Sequence, residues 1–148
     1  MTEKPHINGI MAQIGRIREH AALFIEQELK NEEIHGILPA HGIVLFFLFE
    51  QHHPVAMKEI VEKAGRVKST VTGMVNTLEH HGYVEKFQSP EDGRVILVQL
   101  TEKGRSIRHA FESISGRMLD KLYGDMPQAD RVKLVDQLTQ LLQNLKGA

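Results

Sequence analysis

Apolar residues recur through the first part of the chain at intervals of three and four: Ile7, Ile10, Met11, Ile14, Ile17, Ala21, Phe24, Ile25 and Leu29. Successive helical residues turn by about 100°, so this spacing gathers them on one face and predicts a long amphipathic helix from Ile7 to about Leu29. Gly36 and Pro39 interrupt the pattern between Asn31 and Ala40. From His41 the run Gly-Ile-Val-Leu-Phe-Phe-Leu-Phe is apolar nearly all round, which predicts a fully buried segment. Its length with its flanks favours a helix over a strand.

A shorter helix is predicted from Met57 to Ala64, with Met57, Ile60, Val61 and Ala64 on one face and Gly65 ending it. Another face begins two residues later with Val67, Val71, Met74, Val75 and Leu78, and Gly82 closes it. Helix, tight glycine-containing turn, helix is a helix-turn-helix. Two β-prone runs follow, Tyr83 to Gln88 and Val95 to Leu100. The six residues between them, Ser89-Pro-Glu-Asp-Gly-Arg94, hold the turn formers of a hairpin. Thr101 can cap a helix with Glu102 in its first turn. That helix is expected to run to about Leu122, and a last one from Gln128 to Leu145 carries Val132, Val135, Leu138, Leu141, Leu142 and Leu145. The fold class that results is mainly α with a small β-hairpin, a winged helix-turn-helix over residues 41–100 inside a single domain of 1–148.

In a winged helix the second helix of the motif fits the major groove of DNA and the hairpin reaches an adjacent groove. With the buried face centred on Val71 and Val75, the opposite face of that helix is Ser69, Thr72, Gly73 and Asn76. Ser and Thr hydrogen-bond phosphates or base edges, and Asn can bond bidentately to adenine. Gly73 costs a helix interior roughly 1 kcal/mol relative to alanine, which suits a close backbone approach to a surface. Arg66 and Lys68 are the only charges between Ala64 and Leu78, and the wing adds Lys86 and Arg94. Arg94 stands beside Asp92, which can orient it toward a narrow minor groove.

Composition narrows the picture. The chain has 148 residues, no cysteine, and a net charge of −1 from 18 Lys plus Arg against 19 Asp plus Glu. At 41% apolar it can bury a core without staples. Disulfides and thiol switches are excluded. No apolar run approaches the roughly 18 residues of a membrane span, and the start lacks an apolar signal core, so a cytoplasmic protein is expected. The near-zero charge argues against bulk coating of nucleic acid and for a few specific contacts.

The residues Lys68-Ser-Thr-Val-Thr72, Leu78-Glu79, Gly82, Pro90-Glu-Asp-Gly-Arg94 and Leu100-Thr-Glu-Lys-Gly104 form an ordered set over about 40 residues. In that order and spacing the chain resembles the MarR family of winged-helix transcription regulators. The resemblance implies a homodimer on double-stranded DNA with a palindromic operator, acting as a repressor more often than an activator. It makes residues 7–30 and 105–146 dimerisation helices, and the apolar stripes of those helices ask independently for a partner surface. It also makes Arg66, Lys68, Ser69, Thr70, Thr72, Gly73, Asn76, Lys86, Asp92 and Arg94 the DNA-binding set. Gly73 and Gly93 stand where relatives commonly carry arginine, and Val67 replaces the usual polar cap residue.

Relatives of that family answer to a small aromatic or anionic effector, a metal or an oxidant. The resemblance places the ligand between the dimer helices and the winged helix, where His20, Phe24, Phe47 and His109 are candidates. Nine histidines raise a zinc-type alternative, with dispersed residues such as His35, His41 and His109 as ligands. No His-x3-His occurs, and the rings of the adjacent pairs His52-His53 and His80-His81 are expected to diverge by about 100° on a helix, so structural roles are preferred. No cysteine nucleophile, phosphate-cradling glycine loop or His-Glu-x-x-His pattern is present, so an enzyme is not expected and no cofactor is assigned. A winged-helix protein-interaction module without DNA binding is the remaining alternative.

Overall fold

The computed structural model describes residues 6–147; residues 1–5 and 148 of the expected domain, and with them part of the segment read for a signal core, lie outside the described residues. A 3₁₀ turn at Ile7–Gly9 leads into α1 (Ile10–Asn31). After a linker come α2 (Gly42–Phe49), β1 (Val55–Ala56), α3 (Met57–Ala64), α4 (Lys68–His80), β2 (Val84–Gln88) and β3 (Ile96–Leu100). Then α5 (Glu102–Ser106), α6 (Arg108–Tyr123) and α7 (Gln128–Lys146) complete the chain. The chain is mostly helical with a small antiparallel sheet, as the apolar spacing predicts.

The winged helix is held by one core. Val44 and Leu45 of α2, Val71, Val75 and Leu78 of α4, and Val98 of β3 are fully buried, with Ile60 of α3 and Val84 of β2 beside them. Phe46, Phe49 and Phe111 meet edge to face, with centroids 5.1 Å apart for Phe46 and Phe111, which fastens α2 to α6. The α3 helix starts where Glu59 Oε2 accepts from the Ala56 N–H at 3.1 Å, and it ends at Gly65 in the left-handed region. Thr101 caps α5 by accepting from the Gly104 N–H at 3.1 Å. A Cβ at Gly104 would collide with the Tyr83 carbonyl oxygen, so this close contact of α5 with the start of the wing requires glycine.

Five features depart from the pattern reading. The 42–49 run is a helix but not buried all round: Ile43 is 43% exposed, and Phe46 and Phe47 are half-buried, because only one face meets the winged-helix core. The hairpin is the larger part of a three-stranded sheet of order β1-β3-β2, since Val55 pairs with Val98 and Ala56 with Leu97. Val67 is not on the buried face of α4; it precedes the helix with extended backbone and is 67% exposed. The single helix expected from Thr101 to Leu122 is divided at Ile107, where α5 ends and α6 begins. Arg108, just past this break, donates to the Phe49 carbonyl at 2.7 Å and pairs with Glu50, so tertiary bonds tie the start of α6 to the end of α2, while Glu112 pairs with it within α6. Lastly, the His80 and His81 rings touch edge to face at 5.0 Å, because α4 ends between them and His81 is no longer helical.

The long helices behave differently. Leu29 at the end of α1 enters the core, and Arg117 of α6 pairs with Glu28 of α1 at 2.9 Å. Toward the start of α1, however, Ile10, Met11 and Ile17 are exposed, and α7 has no buried residue although Val132, Val135, Leu138 and Leu142 lie along it.

Candidate nucleic-acid interface

Helix α4 presents its polar face as the spacing predicts. Val71, Met74, Val75 and Leu78 are buried, Ser69, Gly73 and Asn76 are exposed, and Thr70 and Thr72 are half-buried at its edge. Val67 has no side-chain oxygen to cap the helix, so the first-turn N–H groups are left for an external acceptor. Arg66 and Lys68 flank that end, exposed and without an ion pair among the described residues. Unsatisfied amides, the positive end of the helix dipole and two cations together favour a phosphate.

The wing tip is built around Asp92. Ser89 Oγ accepts from the N–H groups of Glu91 and Asp92, and Val95 N–H donates back to the Asp92 carbonyl at 2.9 Å. Asp92 Oδ1 accepts from the Arg94 N–H at 3.0 Å and from Nε at 3.1 Å, while Nη2 reaches Oδ2 at 3.3 Å. The Arg94 guanidinium beside it holds the Asp92 carboxyl below the usual carboxylate range. The Arg94 side chain is nonetheless 92% exposed, so it is oriented without being sequestered.

Lys86 differs from the other basic residues. Its Nζ donates to Asn76 Oδ1 and lies 3.7 Å from Glu79 Oε1, and its N–H donates to Glu79 Oε2 at 3.2 Å. The sequence pattern assigns Lys86 and Asn76 to DNA separately; the fold joins them to each other.

Comparison with known proteins bears on this arrangement. Residues 43–96, from α2 to the start of β3, match the MarR family model. Over these residues the chain is similar to the MarR family. Its members are transcription regulators, not enzymes. The HTH-type transcriptional regulator YfiV of Bacillus subtilis is 36% identical over 63 residues, which are 43% of this chain and 39% of that one. Among solved structures, a MepR–DNA complex from S. aureus has a TM-score of 0.80 at 19% identity, covering 95% of this chain and 99% of that one. PcaV of Streptomyces coelicolor, solved with its natural ligand, has a TM-score of 0.79 at 19% identity, covering 97% and 98%. These two likenesses establish the MarR fold over nearly the whole chain. None of the helices among the described residues is long and apolar enough to cross a membrane.

Within this MarR fold the four effector candidates do not come together. His20 and Phe24 line a groove of about 470 Å³ between α1 and α6, with Arg16, Ile17, Met118 and Lys121. The Lys121 ammonium sits 5.2 Å from the Phe24 ring centroid. Phe47 is half-buried against the winged-helix core, and His109 is exposed on α6; neither lines this groove. A second cavity, of about 430 Å³, lies where the winged helix meets α5 and α6. Its lining includes His52, His53, Gln99, Arg105 and Arg108, all outside the expected set. The fold draws these residues together from three separate segments, so no local spacing announces them.

The histidines of the zinc-type alternative are also apart in role. His41 is 5% exposed, and its Nδ1 accepts from the Leu38 N–H at 2.9 Å, which closes the turn before α2. Burial, then the nearby His81, hold its pKa below the ordinary histidine value. The His35 carbonyl accepts from the Tyr83 hydroxyl at 2.6 Å while its side chain is exposed, and His109 lies on α6. Among the described residues no three His, Asp or Glu side chains are placed to hold a metal.

Proposed function

We propose that this protein is a sequence-specific DNA-binding repressor of the MarR type that acts as a homodimer on a palindromic operator and answers to a small aromatic or anionic effector. The observation that carries the reading is the wing tip, where Asp92 grips an Arg94 side chain that remains exposed. A guanidinium held on a narrow loop suits a narrow minor groove. With the wing there, α4 enters the major groove. Arg66, Lys68 and the uncapped first turn take phosphates, Ser69, Thr70 and Thr72 reach phosphates or base edges, and Gly73 lets the backbone come close. The MepR relative was solved on DNA, which supports the same use of this fold here.

Residues 41–100 form the DNA-binding part in this reading, and residues 7–30 and 105–146 the dimer interface. The exposed apolar stripe of α7 and the start of α1 supply the surface that a second copy covers. Two recognition helices about 34 Å apart then meet successive turns of one operator. The effector fits the α1–α6 groove, where Arg16 and Lys121 offer charge and Ile17 and Phe24 an apolar wall; PcaV, solved with its natural ligand, supports ligand control in this fold. Chromosomal DNA as the partner puts the protein in the cytoplasm.

The test uses duplexes enriched from a random library by the full-length protein and titrated by fluorescence anisotropy over a range of salt. Arg94→Ala is expected to weaken binding and to lower the salt slope by about one phosphate-equivalent per wing. Unchanged affinity and slope would take the wing off DNA. No enriched sequence at all would leave the wing a protein-binding surface.

A further inference from the structure

Asn76 of α4 and Lys86 of β2 are ten residues apart in sequence, yet their side chains meet. An ammonium group has only hydrogens to offer, so the amide atom facing Lys86 Nζ is the oxygen. Glu79, one turn along α4 from Asn76, fixes the same lysine twice: its Oε2 accepts from the Lys86 N–H and its Oε1 lies 3.7 Å from Nζ. The lysine side chain is half-buried between these partners, whereas Arg66, Lys68 and Arg94 are exposed. Asn76 itself is exposed, on the same helical stripe as Ser69, Thr72 and Gly73.

We infer that Lys86 is a positioning residue that biases Asn76 toward reading the major groove as a donor. This rests on the DNA-binding reading above. Bidentate recognition of adenine needs both amide atoms, Nδ2 donating to N7 and Oδ1 accepting from N6. Oδ1 keeps a second lone pair, but the ammonium beside it repels the positive hydrogens of an approaching donor such as adenine N6 and attracts acceptors, so the Nδ2 hydrogens are the amide's favoured offer. The matching base edge is one that presents acceptors alone, guanine through O6 and N7 or thymine through O4. Lys86 thus acts on specificity through Asn76 rather than by neutralising a phosphate.

In vitro selection from a random duplex library, run with the full-length wild type, Asn76→Ala, Lys86→Met and Lys86→Arg, tests this. Asn76→Ala is expected to erase the preference at one position per half-site. In the wild type that position should hold guanine or thymine, favoured over adenine by about tenfold. Lys86→Met frees Oδ1 and should move the same position toward adenine, while Lys86→Arg, still a donor, should keep the wild-type base. The salt slope of Lys86→Met should match that of the wild type. The inference is overturned by adenine at the Asn76-dependent position of the wild type, by the absence of such a position, or by a Lys86→Met motif identical to the wild type's. Loss of selection by Lys86→Met together with a lower salt slope would make Lys86 a phosphate contact and overturn it too. A wild type that enriches a motif while any of these holds defeats this inference alone; a wild type that enriches nothing defeats the DNA-binding reading with it.

Discussion

The winged helix and the last helix hold similar kinds of apolar side chain and treat them in opposite ways. In the winged helix, residues from five elements close over one another, and Val44, Leu45, Val71, Val75 and Val98 lose all contact with solvent. In α7, the leucines and valines line up just as regularly, yet none is buried within the chain. Periodicity therefore says which face is apolar but not what covers it. One region supplies its own cover, and the other leaves its apolar face exposed within the chain.

Substitutions in the two regions should separate these cases, and the largest effect belongs to the self-contained core. Leu45→Ala removes a fully buried side chain and leaves a cavity, and is expected to cost about 3 kcal/mol of unfolding free energy by chemical denaturation. A loss of only a few tenths would mean that this core is looser than its burial shows. Leu138→Lys on α7 should act instead on association: sedimentation velocity should report a shift from two chains to one, with the helical circular dichroism signal retained. If the mass is unchanged and helicity falls, the stripe serves the chain's own stability and the contrast fails.

The buried His41 sharpens the comparison through pH. Its pKa lies below the ordinary 6.5, so between the two values the unfolded chain binds the extra proton. Stability is therefore complete above about pH 6.5 and declines as pH falls below it. Protonated His41 also loses the Nδ1 acceptor that holds the Leu38 N–H. The thermal midpoint is expected to drop from pH 7.5 to pH 5.5 in the wild type, and to drop less in His41→Asn. Equal drops in both proteins would assign the dependence to other groups. The smallest expected effect is at the wing: Arg94→Ala should leave the unfolding midpoint where it is, since an exposed ion pair adds little to stability, while it changes DNA binding. A shifted midpoint would make the Asp92–Arg94 pair structural.

What the sequence pattern foretells is local. The helix from Met57 to Ala64, the Thr101 cap and the pairing of Asp92 with Arg94 depend on residues at most seven positions apart, and each stands in the structure as expected. What it misses depends on distant partners. Val55 and Ala56 are too few to show a period, and only their pairing with β3 makes them a strand. The break at Ile107 accompanies the bonds of Arg108 to Phe49 and Glu50, which are 59 and 58 residues away. Phe47 and His109 are effector candidates only through the family resemblance, and in the fold one packs against the winged-helix core while the other is exposed on α6. Lys86 is in the expected DNA-binding set as a surface cation, and only the approach of β2 to α4 gives it Asn76 as a partner.

The two regions come together in a single quantity, the number of chains on one saturated operator. Multi-angle light scattering of the full-length protein with a duplex enriched by selection measures it directly. Two chains per duplex, falling to one or none with Leu138→Lys, is the expected result. A wild-type complex of one chain per duplex at saturation would contradict it.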